Sequence, residues 1–221
     1  MLTGDNPTQF AVNTITPIYK GKGEPSSLDS YRGIAVGSLF GKVYEHVLHS
    51  RLNKQAEQLG LRGEAQYGFR PGRGSLDGMF VLRHLVERAQ ADRRPMYCVF
   101  VDFEKAFDCV DRALLLQRWR AMGVSGSFHN ALVNMYDRVC MRVKAGGLLG
   151  PAFDTTCGTK QGSLLSPLLF GGFVEILGAL IAVKCPSLGP VVGTMRVPIL
   201  LYADDIVLIT EQPCHTQQAT A

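Results

Sequence analysis

Apolar residues fall into two kinds of run along this chain. Helical spacing recurs over 40–59, with Val43, Val47, Leu48 and Leu52 on one face. It recurs over 76–90, where Met79, Phe80, Leu82, Leu85 and Val86 are apolar. Two further helices are expected over 113–122 and 127–138. The other runs are short and continuous, as buried strands are. The sequence MYCVFV (96–101) is one, and a second strand pair is expected around PILLYADDIVLIT (198–210). Residues 139–144 and 153–157 form a predicted hairpin around GGLLGP, and 14–20 a short extended piece. Gly, Pro and Ser make 21–30 a loop, and 62–75 is a loop rich in Gly and Arg. Strands and helices mix without a regular βαβ rhythm, which predicts an α+β fold with an antiparallel sheet.

One run has the length of a membrane span: LLSPLLFGGFVEILGALIAV, 164–183. Pro167, Gly171-Gly172 and the ionisable Glu175 near its centre argue instead for a buried core helix starting near Pro167. No membrane partner is expected.

At 221 residues, 46% hydrophobic and 19% charged, the chain is globular rather than disordered. Its net charge of +4 is uneven. Residues 1–100 hold 13 Lys and Arg against 9 Asp and Glu, whereas 101–221 hold 10 against 10. A basic first half suits a phosphate-backbone partner. The six cysteines (98, 109, 140, 157, 185, 214) form no CxxC pair and predict reduced, mostly buried thiols in an intracellular protein. MLTGDNPTQF has neither the basic nor the apolar region of a secretory signal.

Asp204 and Asp205 interrupt the apolar run 198–210. Two readings fit them. Residues 202–205 are a tight turn with both carboxylates in solvent, or the pair holds a divalent metal at a strand end. A second apolar strand, in VFVDFEKAFD, runs into Asp102. If the strands are neighbours, three carboxylates converge, and hard oxygen ligands of that number suit Mg²⁺.

Five stretches, in order, resemble the reverse transcriptase domain of non-LTR (LINE-type) retrotransposons: YRGIAVGSLFGKVYEHVLHSRLN, QYGFRPGRGSLDGMF, VDFEKAFDCVDR, KQGSLLSPLLF and YADD. Together they span about 15–210. The resemblance implies the fingers and partial palm of a right-hand polymerase, with fingers over about 1–94 and 112–158 and palm over about 95–111 and 159–221. It implies an RNA-directed DNA polymerase that extends a DNA primer 3′-OH with dNTPs on an RNA template. Asp102, Asp204 and Asp205 would hold two Mg²⁺, with Mn²⁺ as the substitute ion, and the Phe103 carbonyl would add a ligand. Phe107 would crowd the sugar 2′ position, although it also reads as a core aromatic on a helix. Gln161 and Gly162 would line the nucleotide, and Arg32, with Lys20 or Lys22, would clamp its triphosphate. Tyr67, Phe69, Arg70 and Arg73 would track the template, in a stretch that also reads as an ordinary turn. Glu104 and Asp108, with Lys105 between them, look like a solvated helix start, and His46, His49, His84 and His129 have no ligand spacing.

The sequence departs from the family pattern at Gly33, Leu164 and Gly74, none of which removes a catalytic group. It runs only to EQPCHTQQATA after the YADD strand, so the thumb is expected to be absent. That leaves a second expectation, a catalytically silent retroelement remnant that at most binds nucleic acid. The resemblance implies action in cytoplasm or nucleus. Oligomeric state is not legible.

Overall fold

The structure, a computed structural model, describes residues 7, 10–137 and 139–212. Cys214, Arg138 and most of the segments read as the N-terminus and polar tail lie outside the described residues. The chain divides into two units: Met1–Gln55 with Lys105–Leu169, and Ala56–Glu104 with Phe170–Ala221.

In the first unit, β1 (Val12–Tyr19) pairs antiparallel with β2 (Tyr31–Val36) and parallel with β4 (Val139–Ala145). β4 also pairs antiparallel with β5 (Leu148–Leu149) and β6 (Phe153–Thr155). The β1–β4 pair is the one parallel ladder among the described strands, whose other pairings are antiparallel as expected. No tight turn joins these strands, so nothing local forces them to run opposite ways. Ala35, Val139 and Met141 are buried together, with Ile15 against them. Helices α3 (Arg112–Ala121) and α4 (Gly126–Asp137) bury Leu115, Trp119 and Leu132 completely. Asp111 caps α3, its carboxylate accepting the Leu114 N–H at 3.0 Å. The Trp119 indole N–H donates to the Leu169 carbonyl at 3.0 Å.

In the second unit, β3 (Tyr97–Val101), β10 (Asp205–Thr210) and β9 (Ile199–Tyr202) form an antiparallel sheet in the order β3-β10-β9. Helix α2 (Ser75–Ala91) buries Leu85 with Leu200 and Ile209. A small ribbon pairs β7 (Val191–Val192) with β8 (Met195–Arg196).

Four expectations need correction. In α1 (Leu39–Gln58), Val43 is 58% exposed, and the buried stripe is Glu45, Leu48, Leu52 and Ala56. Glu45 turns inward because its carboxylate accepts the Leu164 N–H at 3.2 Å. Ser166–Lys184 is long and apolar enough to cross a membrane by length and composition. It breaks at Glu175 into α5 (Ser166–Val174), mostly buried, and α6 (Ile176–Lys184), which has no buried residue. A buried core helix therefore describes only the first half. The Glu175 carboxylate at the break accepts the Gly63 N–H. Residues 104–108 form a turn rather than a helix start, with Lys105 at φ 53°. None of the five described cysteines is fully buried, and Cys109 and Cys157 are exposed.

Candidate active site

β3 and β10 are neighbours, and their register decides where the aspartates lie. Val101 pairs with Ile206, so Asp102, one residue further on, comes level with Asp205. Asp205 pairs with Tyr202 across the β9–β10 hairpin, leaving Ala203-Asp204 as a two-residue loop. All three carboxylates therefore belong to one end of one sheet. The hairpin is a tight turn, as the simpler sequence reading has it. The apolar setting does not bury the acids: Asp102 and Asp205 are exposed and Asp204 is half-buried. Ile206, Leu208 and Ile209 enter the core below them.

Among the described residues, none of the three carboxylates is in an ion pair or takes a hydrogen bond from the chain. Among the described residues, no three His, Cys, Asp or Glu side chains close into a ready metal cluster. Three unengaged carboxylates on adjacent strands are a hard, anionic donor set of the kind Mg²⁺ takes while completing its shell with water and phosphate. Like charges at one sheet end repel, and a cation relieves that repulsion. Phe103, 41% exposed, follows Asp102 directly.

The hairpin turn is held from behind. Ala203 has φ 57°, while Asp204 does not have positive φ, the pattern of a turn that favours glycine at its first central position. The buried Ala203 N–H is met by Gln66 Oε1 at 3.0 Å, which also accepts from Gly68 N–H at 2.8 Å. A buried donor left unpaired costs about 1–3 kcal/mol. The 65–67 backbone completes the clamp: Leu201 N–H donates to Ala65 and Tyr67 N–H to Leu201, both at 2.8 Å. Beside the hairpin lies a cavity of about 240 Å³ lined by Tyr67, Met79, Leu82, Phe100, Tyr202 and Asp205 among others. Neither Gln66 nor Gly68 was singled out on the sequence, although both stand in the QYGFR block.

The residues read as template-binding are mostly engaged within the chain. Arg70 pairs with Glu57 at 3.2 Å and donates to the Gly63 carbonyl at 2.7 Å. Arg73 pairs with Glu64 and lies 5.5 Å from the centroid of the Tyr67 ring. The Arg73 hydrogen bond holds the Glu64 carboxyl below its ordinary value. Burial pushes the Tyr67 phenol up. Phe69 is 55% exposed at φ 52°, its carbonyl accepting from Arg62 at 3.0 Å.

The residues read as nucleotide-binding all lie in the first unit except Phe103. Gln161 and Gly162 dock on β2: the Ala35 N–H donates to the Gln161 carbonyl at 2.7 Å. A Cβ on Gly162 would stand 2.7 Å from the Ala35 oxygen, and its φ is 102°, so this position requires glycine. Arg32 is on β2, opposite Ile18, with its side chain exposed. Lys20 and Lys22 are exposed in the loop between β1 and β2, Lys20 donating to the Asp29 carbonyl at 2.7 Å. Phe107 is half-buried, and its carbonyl accepts from Thr159 N–H at 2.7 Å. It lies in the turn, not on a helix.

The loop leading to Gln161 is organised by Arg112, which the sequence reading missed. Its guanidinium donates to the carbonyls of Gly158 (2.8 Å), Cys157 (2.9 Å) and Thr155, and to Thr155 Oγ1 (2.9 Å). It lies 5.8 Å from the Tyr136 ring centroid. Burial lowers the Lys160 pKa, opposed by Glu45. Burial pushes the Tyr136 phenol up to about 12.

A family model described as "Reverse transcriptase (RNA-dependent DNA polymerase)" matches residues 19–221. Among curated relatives, "Probable RNA-directed DNA polymerase from transposon BS" of Drosophila melanogaster is 25% identical over 96% of this chain and 23% of its own length. The "Retrovirus-related Pol polyprotein from type-1 retrotransposable element R2" of Popillia japonica is 26% identical over 96% of this chain and 29% of its own length. The chain thus spans about a quarter of the length of these relatives. Among solved structures, the apo telomerase of Candida tropicalis truncated from its C-terminal domain aligns with TM-score 0.65 and 14% identity, over 96% of this chain and 46% of that one. That likeness is one of fold, the fingers and palm of a polymerase with an antiparallel sheet.

Proposed function

The chain belongs to the reverse transcriptase family, and on that premise we propose that it is the nucleotidyl-transfer region of an RNA-directed DNA polymerase. One observation carries the reading. The β3–β10 register puts Asp102 level with the Asp204-Asp205 hairpin, with no cation of the chain engaging any of the three among the described residues.

In this reading Asp102, Asp204 and Asp205 would hold two Mg²⁺, or Mn²⁺ in its place, and the Phe103 carbonyl would add a ligand. Bound there, such ions supply activation of an attacking hydroxyl and charge stabilisation at the leaving oxygen. The chain itself contributes position and charge. Arg32 presents a guanidinium fork to a dNTP triphosphate, joined by Lys20 or Lys22 as point charges. Gln161 and Gly162 would line the nucleotide, and the Phe107 ring would crowd a ribose 2′-hydroxyl. The primer 3′-OH attacks the α-phosphate in line, and pyrophosphate leaves. Tyr67 and Phe69 stack on template bases. Arg70 and Arg73, already paired with Glu57 and Glu64, set the shape of that loop more than they add free charge.

The test is incorporation of a dNTP on a primed RNA template by residues 1–221 with Mg²⁺ or Mn²⁺. Metal-dependent addition that disappears in Asp204→Asn supports the reading. Addition that survives in Asp204→Asn contradicts it. RNA binding without addition by either protein supports the silent remnant instead.

A further inference from the structure

Asp204 is fixed to the chain through Ala203, and Ala203 holds a strained place. Its φ of 57° is left-handed, disfavoured for any residue with a Cβ. Its N–H lies outside the β9–β10 ladder, in a residue only 6% exposed. The group that meets this N–H is the side chain of Gln66, itself 0% exposed.

The amide orientation follows from its partners. Gly68 N–H and Ala203 N–H both donate, so the oxygen faces them and Nε2 faces away. Nε2 is buried without a hydrogen-bond partner among the described residues. Among the described residues the amide acts through its oxygen alone. Gly68 closes the same contact, since a Cβ there would overlap the Ala203 backbone nitrogen. Residues 65–67 are bonded to Leu201, so the acceptor is held rigidly against the hairpin.

We propose that Gln66 is a positioning residue for Asp204: its Oε1, with Gly68 beneath the turn, locks the Ala203 peptide and so sets where the Asp204 carboxylate stands. The inference deepens the polymerase reading and rests on it for its activity arm alone. Without the acceptor, the Ala203 N–H must find water or the turn must relax. Either change moves Asp204 while leaving the nucleotide-binding residues of the other unit in place.

The test compares Gln66→Met, which keeps the shape and loses the acceptor, with Gln66→Glu, which keeps an acceptor. Amide hydrogen exchange at Ala203 is the first readout. The proposal expects Gln66→Met to speed it roughly tenfold or more. The Val99 and Leu208 amides should be unchanged, and Gln66→Glu should recover part of the protection. In extension assays, Gln66→Met should raise the Mg²⁺ concentration needed for half-maximal rate while the dNTP KM holds. Exchange at Ala203 within about twofold of the starting protein overturns the proposal. So does acceleration spread evenly over β3 and β10, which would make Gln66 an ordinary core residue. If no protein extends a primer, the exchange result still decides the positioning role, and only the polymerase reading falls.

Discussion

Val101 of β3 stands opposite Ile206 of β10, and that one register gathers acids that lie about a hundred residues apart in sequence. A slip of one residue would turn Asp102 to the other face of the sheet. Packing on both faces of β10 opposes the slip: Ile206 and Leu208 are buried on one face and Ile209 on the other, and each would have to leave its place.

Replacing Arg112 with Lys should separate charge from geometry. Lysine keeps the cation but cannot reach four acceptors on Thr155, Cys157 and Gly158 at once. Leaving the buried Gly158 carbonyl and the partly buried Thr155 and Cys157 carbonyls unpaired should cost about 1–3 kcal/mol in denaturant unfolding. The loop carrying Gln161 and Gly162 should loosen, so dNTP KM should rise more than kcat falls. Unchanged stability and KM would contradict the role given to Arg112.

Tyr136 should make the first unit sensitive to alkali. Its folded pKa is raised from 10.0 to about 12 by burial. A raised pKa contributes stability that is complete below pH 10 and is lost as pH rises through about 12. The unfolding free energy of the native chain, less that of Tyr136→Phe, should therefore fall by about 2–3 kcal/mol over that window. Lysine titrations common to both proteins cancel. Trp119 is the only tryptophan and is fully buried, so its fluorescence follows the transition. A flat difference would contradict the assignment.

Phe107→Ala should relax sugar discrimination. If the ring crowds the 2′ position, ribonucleotide incorporation relative to deoxynucleotide should rise roughly tenfold or more. An unchanged ratio would leave Phe107 as a packing residue whose carbonyl anchors Thr159.

Much of this was legible in the sequence because local signals agreed. A Gly- and Pro-rich loop fixes the start of α2, and continuous apolar runs mark β3, β9 and β10, with Asp102 directly after β3 and Asp204-Asp205 at the β9–β10 turn. Several of the misses depend on partners distant in the sequence. Val43 has better helical spacing for the core than Glu45, but Glu45 has a backbone N–H to satisfy at Leu164. The ion pairs of Arg70 with Glu57 and of Arg73 with Glu64 are likewise not announced by the loop sequence. Gln66 lies 137 residues from the amide it caps, and no local pattern announces such a contact.

The central claim is that Asp102 and the Asp204-Asp205 hairpin act as one unit on divalent metal. The most direct measurement is primer extension on an RNA template by Asp102→Asn, Asp204→Asn and the double variant, with each fold checked by Trp119 fluorescence. Residues that act together lose function together, so each single change should remove roughly a thousandfold or more of the rate, and the double change should cost little beyond the worse single. Losses that multiply, or extension that survives either single change, would contradict the account.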